Sequence, residues 1–285
     1  MKPLLAPALF CLLLLGCKKE SPLTDISATP TAHVYDNAFT VVSEVTVTPA
    51  ELASMNQKNT TLAYWYEIMK DKTEGVNSNA EMKKLKAQGY KINMTIGNSL
   101  VNNWPGIQAD FTRYKVINRA FGGALAEHVM AYLDDLGVEY ADNLFLYFGE
   151  NEFLANYRKD LVDDNIIRAI NYWKQKNPKL KVVCVLMQVC PSLWVDSGFR
   201  LNIAEAGNKQ IEDLLNSKLR EFAATHGSNV KIADMNRAMK NRGYPPTPKT
   251  ECFVTQTING KTQQVHMNAA GYKIWREVLT PFMIR

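Results

Sequence analysis

From Tyr90 to the C-terminus, short apolar runs alternate with longer stretches in which apolar residues recur every three to four positions. The short runs are Lys91–Ile96, Tyr114–Asn118, Asn143–Phe148, Lys181–Met187 and Val230–Asp234. They are too short for buried helices and rich in β-branched and aromatic residues, so they predict five strands. The periodic stretches Ala124–Leu136, Leu154–Gln175, Ala204–Ala224 and Ala269–Leu279 predict amphipathic helices between them. Strands alternating with helices argue for an α/β domain with a parallel sheet. Upstream, residues 36–89 form an N-terminal extension expected to pack on that domain. It holds a strand at Phe39–Val47, a helical stretch opened by Pro49, and a short helix, Ala80–Gln88, ended by Gly89. The cluster Tyr64-Trp65-Tyr66 in this extension is expected to pack as a lid or flank.

The N-terminus has a different pattern. Lys2 precedes an apolar run, Leu4–Leu15, broken only by Pro7. The run is short for a membrane span and suits the core of a signal peptide over residues 1–16. It ends Leu14-Leu15-Gly16-Cys17, which resembles a bacterial lipobox. That resemblance implies lipidation of Cys17, with export to the cell envelope and attachment to a membrane through the lipid, the leaflet left open. The alternative is an ordinary signal peptide with an incidental cysteine. Residues 17–35 are polar and read as a flexible tether.

Composition narrows the function classes. Hydrophobic residues make up 46% and charged residues 21% of 285 residues, which excludes a wholly disordered chain. The formal charge of +5 is small for this length, and no basic run exceeds Lys18-Lys19 or Lys83-Lys84. No nucleic-acid partner is expected. Five cysteines without a CxxC pair suggest neither a disulfide scaffold nor zinc. Cys184 is expected in the core. Cys190 and Cys252 are expected in loops at one end of the sheet, where an exported chain permits a disulfide between them.

In parallel sheets functional residues gather beyond the carboxyl ends of the strands. Gly97-Asn98-Ser99 follows the first strand, Phe121-Gly122-Gly123 the second, and Gly149-Glu150-Asn151-Glu152 the third. His266-Met267-Asn268 precedes the last helix. A serine, a base of suitable pKa, and glycine amides with an Asn amide for an oxyanion together match acyl transfer. Each has a plainer reading: a loop serine, a tight turn at Gly122-Gly123, a helix cap at Asn151. His33, His128 and His226 lack the context of His266. Trp104, Trp194 and Trp275 are expected in the core or on a flank, with Trp194, at the exit of the fourth strand, the first to consider as a substrate platform.

In order and spacing these blocks resemble the SGNH hydrolases, the GDSL-like lipase and esterase superfamily. The nearest likeness is to its bacterial carbohydrate-esterase and platelet-activating-factor-acetylhydrolase-like branch. The blocks are Gly97-Asn98-Ser99, Asn118-Arg119-Ala120-Phe121-Gly122-Gly123, Gly149-Glu150-Asn151-Glu152, and His266-Met267-Asn268 with Gly271-Tyr272. The resemblance covers roughly residues 90 to 283. It implies a three-layer αβα sandwich with a five-stranded parallel, flavodoxin-like sheet. It implies Ser99 as nucleophile, His266 as base, and an oxyanion hole of the Ser99 N–H, the Gly123 N–H and the Asn151 side chain. No metal or cofactor is implied. The implied reaction is hydrolysis of short acyl esters, acetyl groups on glycans among them.

Three positions depart from the family pattern. Asn98 stands for Asp and can still accept backbone hydrogen bonds, and Glu152 stands for Asp. Gln263 occupies the position of the family acid, three residues before the histidine. Loss of that acid in a serine triad costs on the order of 10⁴ in turnover. A neutral acceptor at the imidazole, from Gln263 or a backbone carbonyl, comes first among the readings. A displaced carboxylate from Glu251 or Glu152 comes second, and a dead site third. Phe253–Val265 alternates around Asn259-Gly260, a hairpin signature, so the loop before His266 is remodelled. Two alternatives therefore stand beside the esterase: an impaired member that binds an acylated or carbohydrate ligand, and a surface interaction module built on residues 36–89.

Overall fold

The computed structural model describes residues 31–35, 41–46, 77–155, 159–195, 210–242, 247–258 and 261–285. The signal segment, Cys17, most of the tether, the 64–66 aromatic cluster and the Asn259-Gly260 turn lie outside the described residues, as does the side chain of Trp194. In the extension, β1 (Thr31–Tyr35) pairs antiparallel with β2 (Val41–Thr46). The second of these is the strand expected at Phe39–Val47, whereas the tether expected to reach residue 35 ends in the first.

The last helix of the extension packs on the main body. Helix α1 (Asn79–Ala87) is capped by the Ser78 hydroxyl, which accepts the Glu81 N–H at 3.0 Å. It buries Met82 and Leu85. The strands follow as β3 (Ile92–Gly97), β4 (Lys115–Asn118), β5 (Asn143–Tyr147), β6 (Lys181–Val185) and β7 (Val230–Ala233). They form one sheet in the order β4-β3-β5-β6-β7, every pair parallel. The five strands are those the apolar runs predict, with ends moved by one or two residues. β3 and β5 are buried at every position, as expected when helices cover both faces.

Between these strands lie α2 (Ser99–Asn102), α3 (Ile107–Asp110), α4 (Ala126–Ala131), α5 (Glu150–Ala155), α6 (Val162–Lys176), α7 (Pro191–Val195) and α8 (Ser217–Thr225), and after β7 come α9 (Met235–Ala238) and α10 (Ala269–Leu279). The stretch read as one helix from Leu154 to Gln175 is two. Asp163 and Asp164 sit in the first turn of α6, where the positive end of the helix dipole favours them. The helix expected over Ala124–Leu136 keeps only its first half. Its last turn tightens, with the Tyr132 N–H on the Val129 carbonyl at 3.1 Å. The helix leading into α8 carries a π turn, Glu212–Asn216. That turn presents the Asn216 amide to Met187, accepting its N–H at 2.9 Å and donating to its carbonyl at 3.0 Å. The side chain thus continues β6 beyond its last ladder bond.

Alternation along β5 sends Phe145 and Tyr147 to one face and Leu144 and Leu146 to the other. Trp275 of α10 meets the Tyr147 ring edge-on, with centroids 4.6 Å apart. Trp104 stacks on Tyr272 of the same helix at 5.3 Å. Both tryptophans are core residues. On the opposite face α6 packs against α4 and α8, and the Trp173 indole donates to the Leu133 carbonyl at 2.9 Å. The result is the three-layer αβα sandwich.

Candidate active site

The site is built where the chain leaves the carboxyl ends of β3, β4 and β5. At the end of β3 the chain passes so close to β5 that a Cβ on Gly97 would lie 2.7 Å from the Tyr147 carbonyl oxygen. Only glycine fits there. Asn98 then caps α2, its side-chain oxygen accepting the Leu100 N–H at 3.0 Å. Ser99 is the first residue of that helix, where backbone amides lack intrahelical acceptors.

The Asn98 amide donates to Glu150 Oε2 at 2.7 Å, and both side chains are buried. Glu150 Oε1 has no hydrogen-bond partner among the described residues. Burial disfavours a charge in that position and pushes the Glu150 carboxyl up to about 8, the Asn98 bond opposing it only in part. The Asn for Asp exchange at 98 therefore matches a neutral acid opposite, a pairing the sequence alone did not suggest.

The second block is largely scaffold. The Asn118 side chain accepts from Thr95 Oγ1 at 3.1 Å and from the Ala120 N–H at 3.0 Å, and donates to the Val101 carbonyl at 3.1 Å. Arg119 is fully buried and donates to the carbonyls of Asn77 and Asp135. Desolvation lowers its pKa to about 10 despite Asp135 and Glu139 nearby. The Phe121 N–H reaches the Gly97 carbonyl at 3.1 Å. These bonds swing Gly122 beside the serine: a Cβ there would lie 4.0 Å from Ser99 Cβ. Gly123 follows at φ 73°, a conformation other L-residues rarely adopt.

Asn151 and Glu152 close the floor. Asn151 Nδ2 donates to the Ala124 carbonyl at 2.8 Å, which ties the third block to the second and leaves one amide N–H over. Glu152 accepts the Ala126 N–H at 2.6 Å at the start of α4. Burial raises the Glu152 carboxyl to about 7.

His266 comes from the opposite wall. Its Nε2 lies 3.0 Å from Ser99 Oγ. Its Nδ1 lies 3.3 Å from Gln256 Oε1. The ring is half-buried, and desolvation lowers its pKa below the usual imidazole value. The acceptor at Nδ1 is thus a neutral amide, though not the one expected. Gln263 sits on β9 (Lys261–Gln263), directly across from Gln256 on β8 (Gln256–Ile258). The hairpin places the acceptor ten positions before the histidine, where the motif places it three before. Neither carboxylate considered from the sequence takes that place: Glu152 serves α4, and Glu251 engages the site through its backbone carbonyl.

The loop holding His266 is fixed on three sides. The Val254 N–H donates to the His266 carbonyl at 2.8 Å. The Ser192 hydroxyl accepts the Gln264 N–H at 2.7 Å. Asn268 caps α10 through Ala270 and Gly271 and donates to the Glu251 carbonyl at 2.8 Å. Tyr272 then donates its hydroxyl to the Leu100 carbonyl at 3.0 Å, one residue past Ser99. Tyr272 therefore clamps the serine helix, while Asn268 ties the start of α10 to the Glu251 segment.

The disulfide expected between Cys190 and Cys252 is absent: both are free and buried, as is Cys184. Cys190 is held in the turn into α7, near Glu150, and burial pushes its thiol up to about 12. Cys252 is seated against α10, its carbonyl accepting the Asn268 N–H at 3.0 Å. Among the described residues no group of three or more His, Cys, Asp or Glu is placed to hold a metal ion.

Comparison with known proteins agrees with this architecture. The profile of the GDSL-like lipase/acylhydrolase family matches residues 86–274. No curated protein matches the chain in sequence. Among solved structures, a candidate platelet activating factor from Streptococcus pneumonia superposes with a TM-score of 0.55 at 16% identity, covering 81% of this chain and 99% of that one. A GDSL-like lipase from Bacteroides thetaiotaomicron gives 0.52 at 16% identity, over 72% of this chain and 98% of that one. A candidate acylhydrolase from Bacteroides fragilis gives 0.51 at 18% identity, over 67% and 86%. At these identities the likeness is one of fold.

Proposed function

The chain belongs to the GDSL-like lipase/acylhydrolase family, a family of ester hydrolases, and we propose that it is a serine esterase working through a Ser99–His266 dyad oriented by Gln256. The observation that carries this reading is the 3.0 Å approach of His266 Nε2 to Ser99 Oγ, within the reach a general base needs. The lowered His266 pKa keeps the ring neutral and able to take the serine proton near neutral pH.

In the proposed reaction Ser99 Oγ attacks the ester carbonyl as His266 Nε2 takes its proton. The oxyanion is received by the N–H groups of Ser99 and Gly123 and the remaining N–H of Asn151. His266 returns the proton to the departing alcohol, and water repeats the sequence on the acyl-enzyme. Gln256 holds the Nδ1–H tautomer but brings no charge to the imidazolium, so turnover is slow for such a site. Acetyl esters on glycans are the proposed substrates. The Leu14-Leu15-Gly16-Cys17 sequence supports export and lipid attachment at Cys17. Mass spectrometry of the native N-terminus tests that part: an unmodified Cys17 overturns it.

One observation favours a second reading, an acyl- or glycan-binding protein with little turnover: the neutral acceptor at His266. Hydrolysis of p-nitrophenyl acetate separates the two. The esterase reading expects turnover that Ser99→Ala abolishes. Equal rates in both proteins, or none with several acyl esters, leave the binding reading standing.

A further inference from the structure

At the far edge of the sheet, the turn after β7 and the chain around Lys249 line an open cavity of about 1020 Å³. We propose that this cavity is a second ligand site, independent of the Ser99 site, that binds a small polyanion carrying two or more phosphate- or sulfate-type groups.

The argument rests on the lining. Two carboxylates face the cavity, Glu212 and Asp234, and both are committed to Arg220, at 2.5 and 3.2 Å. Four more cations line it: Arg237, Lys240, Arg242 and Lys249. Arg237 and Arg242 have no carboxylate partner among the described residues. The Lys249 ammonium gives one hydrogen to the Ala238 carbonyl at 2.9 Å and keeps two. Lys240 is half-buried, and desolvation lowers its pKa even with Glu212 and Asp234 near. The Arg220 charge adds to that lowering, and an anion bound in the concavity would oppose it.

Several cations converging on one concavity match several oxyanion groups, since charge-assisted bonds from Arg and Lys to phosphate or sulfate are the strong ones. The volume is that of a small-molecule site, about 300–1,000 Å³. A nucleic acid would need a basic stripe beyond the cavity, and the chain's formal charge of +5 is spread too thinly for one. The cavity is also distinct from the serine. β7 stands three places from β3 in the sheet, roughly 14 Å at about 4.8 Å per strand.

Calorimetric titration of the full chain with inorganic pyrophosphate tests this. We expect saturable one-to-one binding that weakens as salt is raised. Ser99→Ala should bind equally well, so the result does not depend on the esterase reading. Arg237 and Arg242 are exposed, so Arg237→Ala and Arg242→Ala leave the fold intact. Each should weaken binding by about tenfold. Lys240→Met should do the same, with a circular dichroism spectrum confirming its fold. No saturable binding to the wild-type chain, or unchanged affinity in all three variants, overturns the proposal.

Discussion

Gln256→Glu puts a carboxylate where the amide oxygen now faces His266 Nδ1. Its effect can be worked from the geometry. Two unit charges 3.3 Å apart attract by about 1 kcal/mol in water and about 5 kcal/mol at an effective dielectric of about 20. Gln256 is exposed, so the low end applies, about 1–2 kcal/mol after solvent screening. The imidazolium forms only as the serine proton is transferred, so this energy lowers the barrier. Turnover should rise about five- to thirtyfold, well short of the ~10⁴ that a buried triad acid supplies. The pH profile gives a second, independent reading. Only the neutral ring accepts the serine proton, so activity rises with pH through the His266 pKa. Burial lowers that pKa in the wild-type chain, and a carboxylate at Nδ1 favours the charged ring and raises it. The acid limb of kcat/KM should therefore move to higher pH in Gln256→Glu. Gln256→Leu removes the acceptor and should lower kcat with little change in KM. The assay is p-nitrophenyl acetate hydrolysis across a pH series, with circular dichroism to confirm each fold. An unchanged kcat with an unmoved acid limb in a folded Gln256→Glu protein refutes the argument that Gln256 orients the base.

Other consequences follow from the buried groups. Glu150 has a folded pKa raised to about 8, so the unfolded chain loses this proton first. The stability that the neutral acid contributes is full below its unfolded value and is lost as pH rises through about 8. Glu150→Gln keeps an acceptor for Asn98 and should melt higher than wild type by a margin that grows from pH 5 to pH 8, on the order of a few kcal/mol at the top; parallel melting curves contradict it. Asn268→Ala removes the cap of α10 and the tie to Glu251. It should cost about 1–2 kcal/mol in urea denaturation and slow turnover, because the same loop carries His266. Cys184, Cys190 and Cys252 are free and buried, so they should resist a thiol reagent in the native chain and react in denaturant; rapid native labelling at any of the three opposes the packing described.

Much of this molecule was readable as a string. Five apolar runs at strand length, separated by helical periodicity, specify a parallel sheet because only helices on both faces can cover strands that are apolar throughout. The same reading places Ser99, Gly123 and Asn151 at strand exits, since each follows its strand within a few residues. The partner of His266 at Ser99 was legible too, as the motif after the last loop supplies one candidate histidine with the right neighbours. What the string left open were relations between residues that no short spacing joins. Gln256 meets His266 because a hairpin folds back on itself, and its register, with Gln256 across from Gln263, is set by pairing in three dimensions. Asn98 opposite Glu150 is a contact between the ends of two strands, 52 positions apart. The cysteine pair looked bondable by strand order, yet both thiols are free and buried. Local pattern reports what each segment prefers. Which side chains share a site is decided by the closure of the sheet and its layers, because burial and hydrogen bonding act through space.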